Sequence, residues 1–304
     1  MFNTERVPVK VFRWDDEGAP RVMPAEGDIK TILKACLVTG YGENENRKES
    51  LGWEILFENG SEACFRSTHE KSTGWALGVY GSTPNGGCSL VGVKEPISVK
   101  SGTKTVAVAD KFMYAHYSIN KKEPLEWVVV GHARAFCLVI TNSNYASVCG
   151  HFYFGDFPSL AVADSNNCVL SLVSNNSYLD NGRNKLISMI MADYKGEGSV
   201  MAECGMKGGW VSSLSDAVEY PNPITNGFTA DDIYLFERKS GGVSVLMLRG
   251  LQPGLLHTME TMPRNDSLGY RTIYRNLDDS GDNWMYFRGF NQRGFLVNLT
   301  AWEI

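Results

Sequence analysis

The sequence predicts a mainly β protein, sandwich- or barrel-like, opened by a strand–helix–hairpin element. Three observations predict it. Short apolar runs recur along the 304 residues, each closed by Gly, Pro or Asn where a backbone turns. A single segment, residues 28–38, carries a clear helical period. Residues 271–302 read as three strands joined by two short loops, a β-meander.

Taken in order, residues 9–14, ending at Trp14, alternate as a strand and are closed by a turn at 16–20. In 28–38, Ile29, Ile32, Leu33, Cys36 and Leu37 share one helical face. Asp28 is placed to cap the start of that helix, and Gly40 to end it in a left-handed conformation. Two strands follow at 52–57 and 62–66, split by Asn59-Gly60, a hairpin signal. Further strands are expected at 76–80, 111–119, 126–131, 135–141, 151–157 and 168–174. Two more, 232–239 and 243–249, are joined through Ser240-Gly241-Gly242, and the meander comprises 271–277, 284–290 and 294–302. Residues 183–194 suit either a helix or a buried strand. The Asn/Gly-rich stretch 174–184 is the best linker. It divides the chain into an N-terminal β-rich domain (1–177, including helix 28–38) and a C-terminal β domain (178–304) ending in the meander.

Composition narrows the function classes. Apolar residues make up 43% and charged residues 21%, which suits a packed core rather than a disordered chain. Net charge is −5 and the 29 basic residues are scattered, so no cluster is placed to release counterions from a nucleic acid. Seven cysteines show no CxxC and no regular spacing, as expected of buried free thiols from a reducing cytoplasm. Residues 1–10 hold no apolar core of a signal peptide, and the apolar run 127–140 is broken by His132 and Arg134. These features predict cytoplasmic synthesis and no membrane insertion.

No catalytic signature emerges. The five histidines form no HxH or HExxH, and His151 and Asp156, five residues apart on one strand, point to opposite faces. There is no GxSxG, no P-loop and no dinucleotide fingerprint. Asp278-Asp279-Ser280-Gly281-Asp282 lacks the distal glutamate of a calcium loop and reads as a turn. The expectation is therefore no catalytic residue, no metal and no cofactor. Aromatic residues are plentiful and fall on both faces of residues 151–157. That favours burial in a core or a subunit interface, specifically two-sided burial inside an assembly, over an exposed sugar-stacking platform. The candidate interface or structural positions are Trp14, Trp53, Phe152, Phe154, Phe157, Tyr220, Pro221, Pro223 and Pro253.

Six motifs occur in one order: Asp16-Glu17-Gly18-Ala19-Pro20; Ala35 to Gly42; Gly52-Trp53 with Phe65-Arg66; Phe154-Gly155-Asp156-Phe157; Tyr220-Pro221-Asn222-Pro223; and Arg249 to His257. On these residues the chain resembles a family of virion structural proteins of tailed bacteriophages and prophages. The resemblance runs from residue 9 to about 263 and carries over no catalytic residue. It implies a non-enzymatic tail, baseplate or capsid-associated component, homo-oligomeric and docked on other virion proteins. A carbohydrate-binding host-attachment module and a cell-surface glycan hydrolase are the alternatives from other classes.

Overall fold

The computed structural model describes residues 4–81, 87–107, 112, 123–142, 147–174, 186–197, 200–205, 221–227, 229–239, 245–258, 271–277, 279–288 and 294–304. The strands among them are β1 (Arg6–Pro8), β2 (Lys10–Arg13), β3 (Trp53–Asn59), β4 (Glu62–Ser67), β5 (Trp75–Tyr80), β6 (Ser89–Pro96) and β7 (Gly102–Ala107). They continue with β8 (Glu126–His132), β9 (Ala135–Asn142), β10 (Ser147–Asp156), β11 (Cys168–Ser174), β12 (Leu186–Ile190) and β13 (Val200–Gly205). The last are β14 (Ala230–Lys239), β15 (Val245–Thr258), β16 (Ile273–Arg275), β17 (Asn283–Arg288), β18 (Gly294–Asn298) and β19 (Ala301–Glu303). The α-helix is α1 (Asp28–Leu33).

The protein is mainly β, and its strands pair antiparallel. A five-stranded sheet runs in chain order from β3 to β7. A twelve-stranded sheet has the order β16-β17-β18-β15-β14-β13-β12-β11-β10-β9-β8-β2. Its two ends are open, so no barrel closes. A third pairing joins β1 to β19.

Alternation along β8 to β11 explains the layering. Trp127, Val129, Phe136, Leu138, Phe152, Phe154, Leu170 and Leu172 point to one face, into a core shared with α1 and the five-stranded sheet. Val128, Val130, Cys137, Val139, Tyr153 and Val169 point to the other, into a core shared with β14, β15, β17, β18 and Trp302. The long sheet is thus folded over, its second half lying against one face of its first. A sandwich results, with a third layer added on the outside.

Several elements differ from expectation. The helix is α1 followed by a π-helical turn over Lys34–Thr39, rather than one α-helix over 28–38. Carbonyls freed there find other donors: the Leu51 N–H reaches the Cys36 oxygen at 3.0 Å, and the Arg47 guanidinium reaches the Thr39 oxygen at 2.7 Å. Gly27, left-handed at φ 82°, occupies the cap position expected for Asp28, and Gly40 has φ 68° with an extended ψ of −178°. The hairpin turn lies one residue later than expected, at Gly60-Ser61, because Asn59 pairs with Glu62. Strand 271–277 shortens to β16, and 294–302 breaks into β18 and β19. Residues 186–190 resolve as a strand, β12. Of the expected strand 111–119 only Phe112, bridged to Cys88, is described. The expected domain boundary at 177/178 falls outside the described residues; β11 and β12, on its two sides, are neighbours in one sheet.

Candidate functional site

Charged and polar side chains that could carry chemistry gather at three junctions, each joining segments remote in sequence. At the first, Asp16 Oδ2 accepts from the Arg13 N–H at 2.7 Å, the Tyr41 hydroxyl at 2.6 Å and the Lys48 ammonium at 2.6 Å. Burial and the Asp16 carboxylate together push the Tyr41 hydroxyl pKa upward, so it remains a donor. The turn after β2 is thereby fastened to the segment after the π-helical turn. Trp14, half-buried against the same core, donates its backbone N–H to Trp127.

The second junction centres on Asp156, buried at the end of β10. Its carboxylate accepts from the Thr73 hydroxyl at 2.6 Å and from Arg134 Nε at 3.1 Å. Burial raises its pKa, and Thr73 and Arg134 partly offset that rise. Lys94 donates to the Thr73 carbonyl, so the loop before β5 is held from both sides.

The third junction is the most completely buried. Arg249 and Asp164 are both fully enclosed, and the guanidinium grips that carboxylate with two parallel bonds of 2.8 and 2.9 Å. Its remaining reach goes to Glu237 at 2.9 Å and the Ala192 carbonyl at 2.6 Å. The Ser159 hydroxyl donates to Asp164 at 2.7 Å. Asp164 remains ionised because Arg249 and Ser159 outweigh its desolvation, which acts in the opposite direction; its pKa is lowered.

Two expected motifs meet here. The Arg249 guanidinium lies over the Phe157 ring, 5.9 Å from its centroid. A Cβ on Gly250 would lie 2.5 Å from the same ring, so only glycine allows the approach. Gly254, at φ +72°, presses on the Trp302 indole, which a Cβ would meet at 2.2 Å. Buried Pro253 sits with it where β15 bulges: Asp232 pairs with Leu256 while Tyr234 pairs with Leu251.

His132, His151 and Asp282 are occupied structurally. The His151 ring lies tilted against Phe295, its centroid 4.1 Å away, and burial lowers its pKa to about 3. His132 meets Trp302 edge-on at 5.5 Å, and burial lowers its pKa to about 4. Asp282 is buried, bonded to Arg6 and, at 2.7 Å, to the Asn298 amide. Among the described residues, no group of three or more His, Cys, Asp or Glu side chains is placed to hold a metal ion. Also among them, no helix is long and apolar enough to cross a membrane. Five cysteines, 36, 64, 88, 137 and 168, are buried free thiols.

Of the expected aromatic positions, Trp53, Phe152, Phe154 and Phe157 are buried in the core. Phe136 meets Trp53 and Phe152 edge-to-face at centroid separations of 5.4 and 5.8 Å and lies tilted against Phe154 at 6.4 Å, while Trp53 also meets Phe154 edge-to-face at 6.0 Å. Both sides of β10 are covered by this chain's own layers, so of the two expected settings, a core or a subunit interface, these residues take the core. Tyr220 lies outside the described residues. Pro221 and Pro223 are exposed on a tight turn in which Asn222 Oδ1 accepts the Ile224 N–H at 2.9 Å. Thr73, Asp164 and Glu237 carried no sequence signal. Arg134 did, as a charge interrupting the apolar run 127–140.

Searched against protein families and curated proteins, the chain matches none.

Proposed function

We propose that this protein is a non-enzymatic structural component of a bacteriophage particle, made in the host cytoplasm and assembled through protein–protein contacts in the tail, baseplate or capsid surface. The observation that carries the reading is how the motifs behind the family resemblance are used. Asp16 binds Tyr41, Phe157 packs on Arg249 and Gly250, and Gly254 packs on Trp302. The motifs are joints of a scaffold, as sequence marks of a structural family should be. Partners on this reading are other virion proteins and further copies of the chain. The exposed turn at 221–227, with Ile224 at 91% exposure, is the contact we favour.

The competing classes find less support. Trp53, Trp75, Trp127, Trp284 and Trp302 are buried and leave little indole surface for a sugar. The buried carboxylates Asp156, Asp164 and Asp282 are each held by an arginine rather than facing one another across a cleft. Mass spectrometry of purified particles from the parent phage or induced prophage tests the proposal. It expects this chain at a fixed copy number, with cross-links from 221–227 to a neighbour. Particles that lack the chain overturn it.

A further inference from the structure

Among the described residues that are buried and charged, Asp156, Arg249 and Asp282 each meet an opposite charge. Asp28 does not. Its carboxyl, 3% exposed at the start of α1, is bonded only to backbone: Oδ1 accepts the Ile29 N–H at 2.6 Å and Oδ2 the Ala25 N–H at 3.1 Å. The cations of this region are engaged elsewhere, Lys30 with Glu58 and the Gly60 carbonyl, Lys34 with Glu58. Glu26 accepts from Ser61. The titratable group whose electrostatics meets Asp28 is the buried Cys88 thiol, beside the Cys88–Phe112 bridge.

We propose that Asp28 is a proton-operated latch: protonated, it seats α1 and the preceding turn in the core, and ionised, it loosens them from the five-stranded sheet. The geometry supplies the reason. A carboxylate there would be a buried charge with two backbone donors and no counter-ion, which the interior tolerates poorly. Burial accordingly raises the Asp28 pKa to about 7. The folded pKa thus lies above the unfolded value. The stabilising contribution is complete below about pH 4 and is lost as pH rises through about 7. The latch would act near neutrality, where most carboxylates have finished titrating.

Hydrogen exchange of the segment 23–36 between pH 4.5 and 8.5 tests this, after correction for the intrinsic pH dependence of amide exchange. Protection should fall by about tenfold per pH unit between about pH 5 and 7 in the wild-type protein and level off above pH 7, since opening releases one proton until the closed state is itself ionised. The Asp28→Asn protein should show no such slope. Equal slopes in the two proteins would overturn the proposal. Should Asp28→Asn not fold, the carboxyl carbon resonance of Asp28 in the wild type decides: a midpoint near 7 supports the latch, and one below about 5 refutes it.

Discussion

Where the central sheet meets α1 and the five-stranded sheet, it presents Trp127, Val129, Phe136, Leu138, Phe152 and Phe154. On its other face it sets His132, His151, Tyr153 and Ser171 among its aliphatic residues. The first face is a jigsaw of rings. The second is pinned by polar bonds: the Ser171 hydroxyl reaches Gln252 Oε1 at 2.8 Å, and Arg249 locks the loop after β10 to β14 and β15. Apolar surfaces can slide on one another at modest cost, whereas a bidentate ion pair has one good geometry. The polar face joins the two halves of one folded sheet, where a change of register would misplace every side chain. The apolar face joins two separate sheets, aligned by the shape of its rings and, at the margin, by the Thr73–Asp156 and Ser67–Ala133 bonds.

Breaking the polar face at its centre should have the largest effect. Arg249→Ala leaves Asp164 and Glu237 without their cation, and we expect a loss of about 5 kcal/mol or failure to fold, read by urea denaturation. On the apolar face, Phe152→Ala should cost about 4 kcal/mol by cavity formation, with the slope of the denaturation curve unchanged. Ser171→Ala strands the buried Gln252 and should cost about 2 kcal/mol; a value near zero would mean that the inner face is wet.

The smallest test sharpens the comparison by pH. His151 is buried and its folded pKa lies below the unfolded value, so the unfolded chain binds more protons as pH falls below about 6.5. Acidification from pH 6.5 to 5 should therefore cost the polar face about 1.5 kcal/mol for this histidine. His132 acts in the same sense. Asp28, on the apolar face, responds in the opposite direction. Hydrogen exchange of β10 should accelerate in mild acid while that of α1 slows; parallel changes would show that one global unfolding event governs both.

Much of the fold could be read from alternation. Cys168–Ser174 matched its expected bounds, and the β8–β9 pair differed by one residue at an end, because these strands are bounded by turn residues and filled with β-branched ones. β6 and β7 went unread. Gly92 sits in one, where a side chain would strike Met191, and the other interleaves Thr and Lys, so neither shows an apolar run. The central aromatics were read as two-sided, but the covering layers come from residues far along the chain, which periodicity does not register. The third junction was illegible for the same reason. Arg249 finds Asp164 across 85 residues of sequence, and no local pattern announces a partner so distant.

The pairing of β1 with β19 has a mechanical consequence. Glu5 and Ile304 exchange both backbone hydrogen bonds at 3.0 Å, so these two residues, at opposite ends of the sequence, leave the fold side by side. Tension applied through them opens that ribbon like a zipper, loading one bond at a time instead of shearing several together. The Arg6–Asp282 contact is the next to yield, and β2 then peels from β8. Because β19 carries Trp302, which is buried between the two halves of the folded sheet, opening the ribbon draws directly on that core.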